Sequence, residues 1–338
     1  MRRARIKAEG AGYYHAMSRI IEQRHILQET EKERLLGLMR RLAAFGGLDV
    51  LAYCFLSNHF HILLHVPQRQ ELSDAELLRR LAFISEDWQV RQLAQRLQDY
   101  RQQGQDQAAE ALKARYTYRM HDVSEFFKAF KQQFSQFYNQ RAGRRGPLWE
   151  QRFRSVLVER SQNALLTMAA YIDLNPVRAG LVEDPKDYRF CSYGAAVGGC
   201  AEARAGLWQL LQAALGPGEP LAWPDVQGLY RQRLYVQGQG KGLTPEGRAC
   251  RPGFTVEQVQ AVLASGGRLP LSEALRCRVR YFSDGLALGS REFLESVFER
   301  YRGQFGPRRT SGARPMRFGE WDGLATLRDL RLAPVMRA

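Results

Sequence analysis

Apolar and polar positions along the chain fall into two rhythms. Short stretches alternate or run apolar, and longer ones repeat every three to four residues. Tyr13 to Arg19 is rich in aromatics, lacks Gly and Pro, and predicts a first strand. Thr30 and Glu33 have capping-box spacing ahead of Leu35, Leu36, Met39 and Leu42, so a helix is expected over about 30–45, ended by Gly46-Gly47. Leu48 to Leu56 reads as a strand, Ser57-Asn58 as a two-residue turn, and His59 to Val66 as the returning strand, closed by Pro67. Residues 68–120 are rich in Gln, Arg and Glu with a helical rhythm at Leu77, Leu78 and Leu81, and read as an exposed helical excursion.

A second strong helix is expected over about 122–140, where Phe126, Phe127, Phe130, Phe134, Phe137 and Tyr138 share one face. Phe153 to Glu159 reads as another strand. Asn163 to Asn175 reads as a helix stopped by Pro176, because proline pushes the preceding residue out of the α region. The Gly-, Ala- and Pro-containing stretch 194–222 reads as a linker into a second part. That part holds a capping box at Thr255 and Gln258, a candidate helix-turn-helix around 255–278, and a last helix starting near Ser290. The expected fold class is α+β: a mainly antiparallel sheet with flanking helices, followed by a helical C-terminal part. The expected division is 1–198 for the sheet-bearing domain and 199–338 for a basic, mostly helical extension.

Charge narrows the function. The 338-residue chain carries a formal net charge of +15, which calls for a polyanionic partner. No apolar run is long enough for a spanning helix, and no leader-like apolar segment follows the basic start, so a cytoplasmic, nucleoid-associated location is expected. The five cysteines show no CxxC spacing and read as reduced thiols. Eight arginines against three acidic residues in 301–338 suggest a module gripping phosphates.

The histidines are few, and three of the six lie within seven positions. Strand alternation puts His59 and His61 on one face with Phe60 on the other, so both imidazoles can reach one divalent ion. His65 shares that face but lies roughly 13 Å from His61, too far for the same ion. A histidine-triad hydrolase would need a third histidine where Leu63 stands. Tyr171 and Asn175, four residues apart, share a helical face. A tyrosine hydroxyl becomes a nucleophile toward phosphorus when a metal polarises the phosphate, and an amide oxygen beside two imidazoles suits Mg or Mn. Between 139 and 160, six arginines against two glutamates interleave with Trp149 and Phe153, a pattern that can hold a phosphate backbone and stack bases.

Three segments together resemble a known family: Asn58-His59-Phe60-His61; Leu148-Trp149-Glu150-Gln151-Arg152-Phe153-Arg154-Ser155; and Tyr171-Ile172-Asp173-Leu174-Asn175-Pro176-Val177-Arg178-Ala179-Gly180-Leu181-Val182. They are similar, in this order, to the single-tyrosine HUH transposases, in particular the REP-associated tyrosine transposase branch. The resemblance spans about residues 10–195 and extends to Tyr188, Cys191, Ser192 and Tyr193. It implies an antiparallel sheet flanked by helices (a ferredoxin-like palm), a metal pair at His59 and His61, a nucleophile at Tyr171, and a third ligand at Asn175. It further implies Mg²⁺ or Mn²⁺ as cofactor, and cleavage of single-stranded DNA through a 5′-phosphotyrosine link with a free 3′-OH. The substrates would be imperfect hairpins from palindromic repeat elements, and the protein a monomer or homodimer. Candidate DNA-binding residues are Arg19, Arg144, Arg145, Trp149, Arg152, Arg154 and Arg178. Another class also fits the charge: a domesticated repeat-DNA-binding protein that does not cut.

Overall fold

The computed structural model describes residues 5–216, 222–234, 281–316 and 321–328. The capping box at Thr255 and the candidate helix-turn-helix around 255–278 lie outside the described residues.

The sheet forms around β1 (Gly12–Arg19), β2 (Asp49–Phe55) and β3 (His59–Val66). β3 runs antiparallel between β1 and β2, with Leu56 N–H closing the β2–β3 hairpin on the His59 carbonyl at 2.9 Å. β4 (Arg154–Val158) adds antiparallel to the far side of β1. Alternation then sorts the side chains. Tyr14, Ala16, Phe60, Ile62 and Leu64 face one layer, and Tyr13, Leu63, Val156 and Val158 the other.

On the Phe60 side lie α1 (Glu29–Gly46) and α5 (Val123–Arg141), whose Phe126, Phe127, Phe130 and Phe134 are buried. α1 begins one residue before the expected Thr30. Its capping box is built by Gln28 and Glu31, whose carboxylate accepts from the Gln28 N–H at 3.2 Å. Between β3 and α5 the excursion forms α2 (Asp74–Leu81), α3 (Asp87–Gln102) and α4 (Asp106–Thr117). These three close a small core of their own around Leu77, Leu81, Leu93, Leu97 and Leu112.

The opposite face is covered by α6 (Gln162–Asp173), capped by the Ser161 side chain. Every residue of α6 from Ala164 to Asp173 is buried, as expected of a helix apolar on all sides. Pro176 does not end the run as expected. α6 stops at Asp173, and a new turn, α7 (Asn175–Arg178), begins with Pro176 in its first positions, where a missing N–H costs no helical bond. The described residues of the segment 194–222, expected as a linker, are largely helical, in α8 (Ser192–Val197) and α9 (Ala201–Leu215), and α10 (Trp223–Leu234) follows. α9 packs on the sheet so closely that a Cβ at Gly206 would stand 2.3 Å from the Val50 carbonyl oxygen.

The C-terminal residues differ most from expectation. After α11 (Tyr281–Asp284) comes β5 (Ala287–Gly289), which pairs parallel with β4. α12 (Arg291–Arg300), β6 (Ala313–Pro315) and β7 (Ala325–Leu327) complete a seven-stranded sheet in the order β2-β3-β1-β4-β5-β7-β6. The sheet is mixed and mostly antiparallel, flanked by helices, so the α+β expectation holds. A boundary at 198 does not bound the sheet, because strands this short carry too weak an alternation to be seen in the sequence.

Candidate active site

His61 and His15 meet on the α6 side of the sheet. Register sets His15 opposite Leu63 and His61 opposite Met17, so the two histidines are diagonal neighbours on adjacent strands. His15 Nε2 lies 2.9 Å from His61 Nδ1, and His15 Nδ1 lies 2.8 Å from the Phe282 carbonyl oxygen. The two rings are nearly coplanar, 14° apart with centroids at 5.1 Å. That separation is about the N···N distance plus two ring radii, so the contact is an in-plane hydrogen bond and not a face-to-face stack.

His59 stands edge-on to His61, with centroids at 5.1 Å. Its Nδ1 lies 2.6 Å from Asn58 Oδ1, while Asn58 Nδ2 donates to the Gln23 carbonyl at 3.1 Å. His15 and His61 are buried, and burial is the main reason both imidazoles resist protonation. His15 is pushed down to about 4, with Arg178 adding to the effect and the Phe282 hydrogen bond opposing it. His61 is pushed well below the usual range by burial first, then by His15, His59 and Arg178.

Tyr171 comes from α6. Its ring meets His61 edge-on at 5.9 Å and His15 at 6.1 Å. Phe282 of α11 lies against it at 4.6 Å, and the Arg178 guanidinium sits 4.2 Å from its ring centre. Arg178 also donates to the Tyr171 carbonyl. The tyrosine is 5% exposed. Asn175 donates through Nδ2 to the carbonyls of Tyr171 and Ile172, both at 3.1 Å, which turns Oδ1 away from its own helix. Asp173, between them, accepts from Ser192 Oγ at 2.7 Å, Tyr193 N–H at 3.0 Å and Tyr230 Oη at 2.7 Å. Burial pushes its carboxyl up to about 6 against those three bonds. These contacts tie the tyrosine helix to α8 and α10.

Tyr171 and His61, far apart in sequence, therefore meet between α6 and β3, with His59 beside His61 and Asn175 one helical turn beyond Tyr171. Among the described residues no three His, Cys, Asp or Glu side chains converge as a metal set. A metal here would rest on two imidazoles and the neutral Asn175 oxygen, a nitrogen-and-oxygen donor set that suits Mg²⁺ or Mn²⁺ and leaves positions for substrate oxygens. The charge this set lacks would have to come from the phosphate itself.

The DNA-binding candidates divide. Arg145 and Arg152 are exposed, and Arg19, Arg144 and Arg178 partly so. Arg154 pairs with Asp284 at 2.6 Å, a bond to the C-terminal residues. Trp149 does not offer a stacking face: it is 8% exposed, meets Phe60 edge-on at 5.4 Å, and donates its indole N–H to the Lys131 carbonyl at 3.2 Å. Phe153, also buried, lies under the Arg5 guanidinium at 3.6 Å. Lys131 is pushed down to about 8 by burial and by the nearby Arg5 and Arg152. Arg5, Lys131 and Arg152 thus form a basic cluster that sequence reading only partly found. His15 was missed altogether. Its strand parity was legible, but its position beside His61 required the β1–β3 register.

Residues 10–105 match the family model described as Transposase IS200 like. The resemblance to this transposase family is thus shown over the stretch holding β1 and the β2–β3 hairpin with both histidines. Tyr171 and the C-terminal strands lie outside that match. One solved structure, a REP-associated tyrosine transposase bound to a REP hairpin, is similar at 16% identity, covering 59% of this chain and 87% of that chain with a TM-score of 0.39. No curated protein matches the chain. Among the described residues no helix is long and apolar enough to cross a membrane.

Proposed function

We propose that this protein is a metal-dependent single-stranded DNA endonuclease and strand transferase acting on hairpins from palindromic repeats, with Tyr171 as its nucleophile. The observation that carries this reading is the approach of the Tyr171 ring to His61, 5.9 Å between centroids, from elements more than a hundred residues apart. A buried tyrosine used only for packing has no need of two strand histidines and an arginine around it.

Tyr171 Oη attacks the scissile phosphorus. The Oη–P bond forms and the P–O3′ bond breaks, the phenolic proton leaving to solvent and the departing O3′ taking one up. The 5′-phosphotyrosine link keeps the energy of the phosphodiester, so a second 3′-OH can reverse the step and reseal the strand without ATP. Arg178, 4.2 Å from the centre of the tyrosine ring, would supply positive charge to the phosphate. A divalent ion held by His59, His61 and Asn175 would polarise the phosphate oxygens. Asp173 and its three partners hold the helix that aims Tyr171.

The test is covalent trapping on a repeat-derived hairpin with a single-stranded flank. The wild type should give a protein–DNA adduct stable to denaturation in Mg²⁺ or Mn²⁺. Tyr171→Phe should give none while still binding the hairpin, and His59→Ala or His61→Ala should lose the metal-dependent cleavage. An adduct formed by Tyr171→Phe would refute the nucleophile assignment. The burial of Tyr171 under Phe282 favours a second reading, a repeat-DNA-binding protein without strand transfer. A wild type that binds hairpins but forms no adduct at any metal concentration would select it.

A further inference from the structure

The hydrogen-bond chain behind the two strand histidines fixes where their protons are. The Phe282 carbonyl can only accept, so His15 Nδ1, 2.8 Å away, must carry a proton. A buried imidazole with no carboxylate partner is neutral and carries one proton only. His15 Nε2 is therefore an acceptor, and the proton in its 2.9 Å bond to His61 belongs to His61 Nδ1. The lone pair of His61 is then on Nε2. The same logic holds for His59. Asn58 Nδ2 donates to the Gln23 carbonyl, so Asn58 Oδ1 faces His59 and accepts from its Nδ1.

We propose that His15, anchored on the Phe282 carbonyl, is a positioning residue that locks His61 as the Nδ1–H tautomer, presenting Nε2 as a ready ligand nitrogen before any metal arrives. Asn58 sets the same Nδ1–H tautomer for His59. The inference rests on the reading of His59 and His61 as the metal pair, and adds how their geometry is set. It also gives the C-terminal residues a part in the site: a backbone carbonyl of α11 orients a ligand on β3 through β1. Metal-bound histidines whose second nitrogen donates to a fixed acceptor lose affinity when that acceptor is removed. Here the acceptor is itself an imidazole held by a carbonyl.

The experiment uses the full chain labelled with ¹⁵N-histidine, first without metal and then with Mn²⁺. Long-range ¹H–¹⁵N correlation distinguishes Nδ1–H from Nε2–H rings, and Mn²⁺ affinity is read from the loss of the free-ion EPR signal. In the metal-free wild type both His59 and His61 should be Nδ1–H. His15→Phe should move His61 toward Nε2–H, leave His59 unchanged, and weaken Mn²⁺ binding by about ten- to a hundredfold. Asn58→Ala should move His59 and leave His61 unchanged. His15→Gln should restore both readouts, because its Nε2 can donate to the Phe282 carbonyl while Oε1 accepts from His61. If His15→Phe fails to fold, the wild-type spectrum and the glutamine variant decide the matter.

A metal-free wild type with His61 as Nε2–H would overturn the proposal. So would a folded His15→Phe protein with an unchanged His61 ring and Mn²⁺ affinity within about twofold of wild type. Correct tautomers in a wild type that binds no Mn²⁺ would instead refute the metal reading and leave the relay standing.

Discussion

Replacing Asp173 by asparagine isolates one buried charge. Ser192 Oγ and Tyr193 N–H both donate to Oδ1, and Tyr230 Oη donates to Oδ2. An asparagine keeps Oδ1 for the first two and offers Nδ2 to the Tyr230 oxygen, reversing that bond without moving an atom. What it removes is the titration. The Asp173 carboxyl is pushed up from 3.8 to about 6 in the folded chain, chiefly by burial. Between these values the folded state holds a proton that the unfolded state has lost. This group therefore destabilises the wild type as pH rises through that window, and stabilises it as pH falls. The full difference is about 3 kcal/mol, of which about 2 kcal/mol is recovered by pH 4.5. Urea unfolding at several pH values, read by tryptophan fluorescence, should show Asp173→Asn more stable than wild type near pH 7. The gap should close by about 2 kcal/mol at pH 4.5. Wild type and variant curves running parallel across that range would refute the assignment of a buried, mostly ionised carboxylate at neutral pH.

The buried histidines work in the other direction. His15, pushed down to about 4, is neutral in the fold while the unfolded chain protonates it below about 6.5, so its contribution is present at neutral pH and lost on acidification. His15→Gln should therefore lose less stability than wild type between pH 7 and 4.5, measured by the same unfolding series. Trp149→Ala should cost about 3–5 kcal/mol of stability, as for a core aromatic, while the protein that remains folded keeps its hairpin affinity. A large affinity loss with unchanged stability would restore a stacking role. If Arg144, Arg145, Arg152 and Arg178 each neutralise one phosphate, log K for single-stranded substrate should fall with log salt at a slope of about −3. A flat dependence in a filter-binding titration would remove these arginines from the interface.

Local rules were enough for the hairpin and its histidines. Alternation placed Phe60 in one core layer and His59 with His61 on the other face, and that is where they lie. The phenylalanine stripe of α5 and the Tyr171–Asn175 spacing were equally legible, because helical periodicity is a property of neighbouring residues alone. Trp149 was not. A basic, aromatic stretch reads the same whether its rings stack on bases or fill a core, and only the packing against Phe60 and Phe134 decides. Nor could Pro176 be read correctly, since it breaks a helix or begins one depending on which residues already carry the preceding turns.

The faces carrying His59, His61, Tyr171 and Asn175 were legible in the sequence alone, since short-range period is written there. The register of β1 on β3, which sets His15 against His61, and the return of the C-terminal strands, which brings Phe282 over Tyr171, were decided only by the tertiary structure. Both depend on contacts between residues far apart in the chain. No local pattern records those contacts, because their free energy comes from surfaces that meet only after the chain has folded.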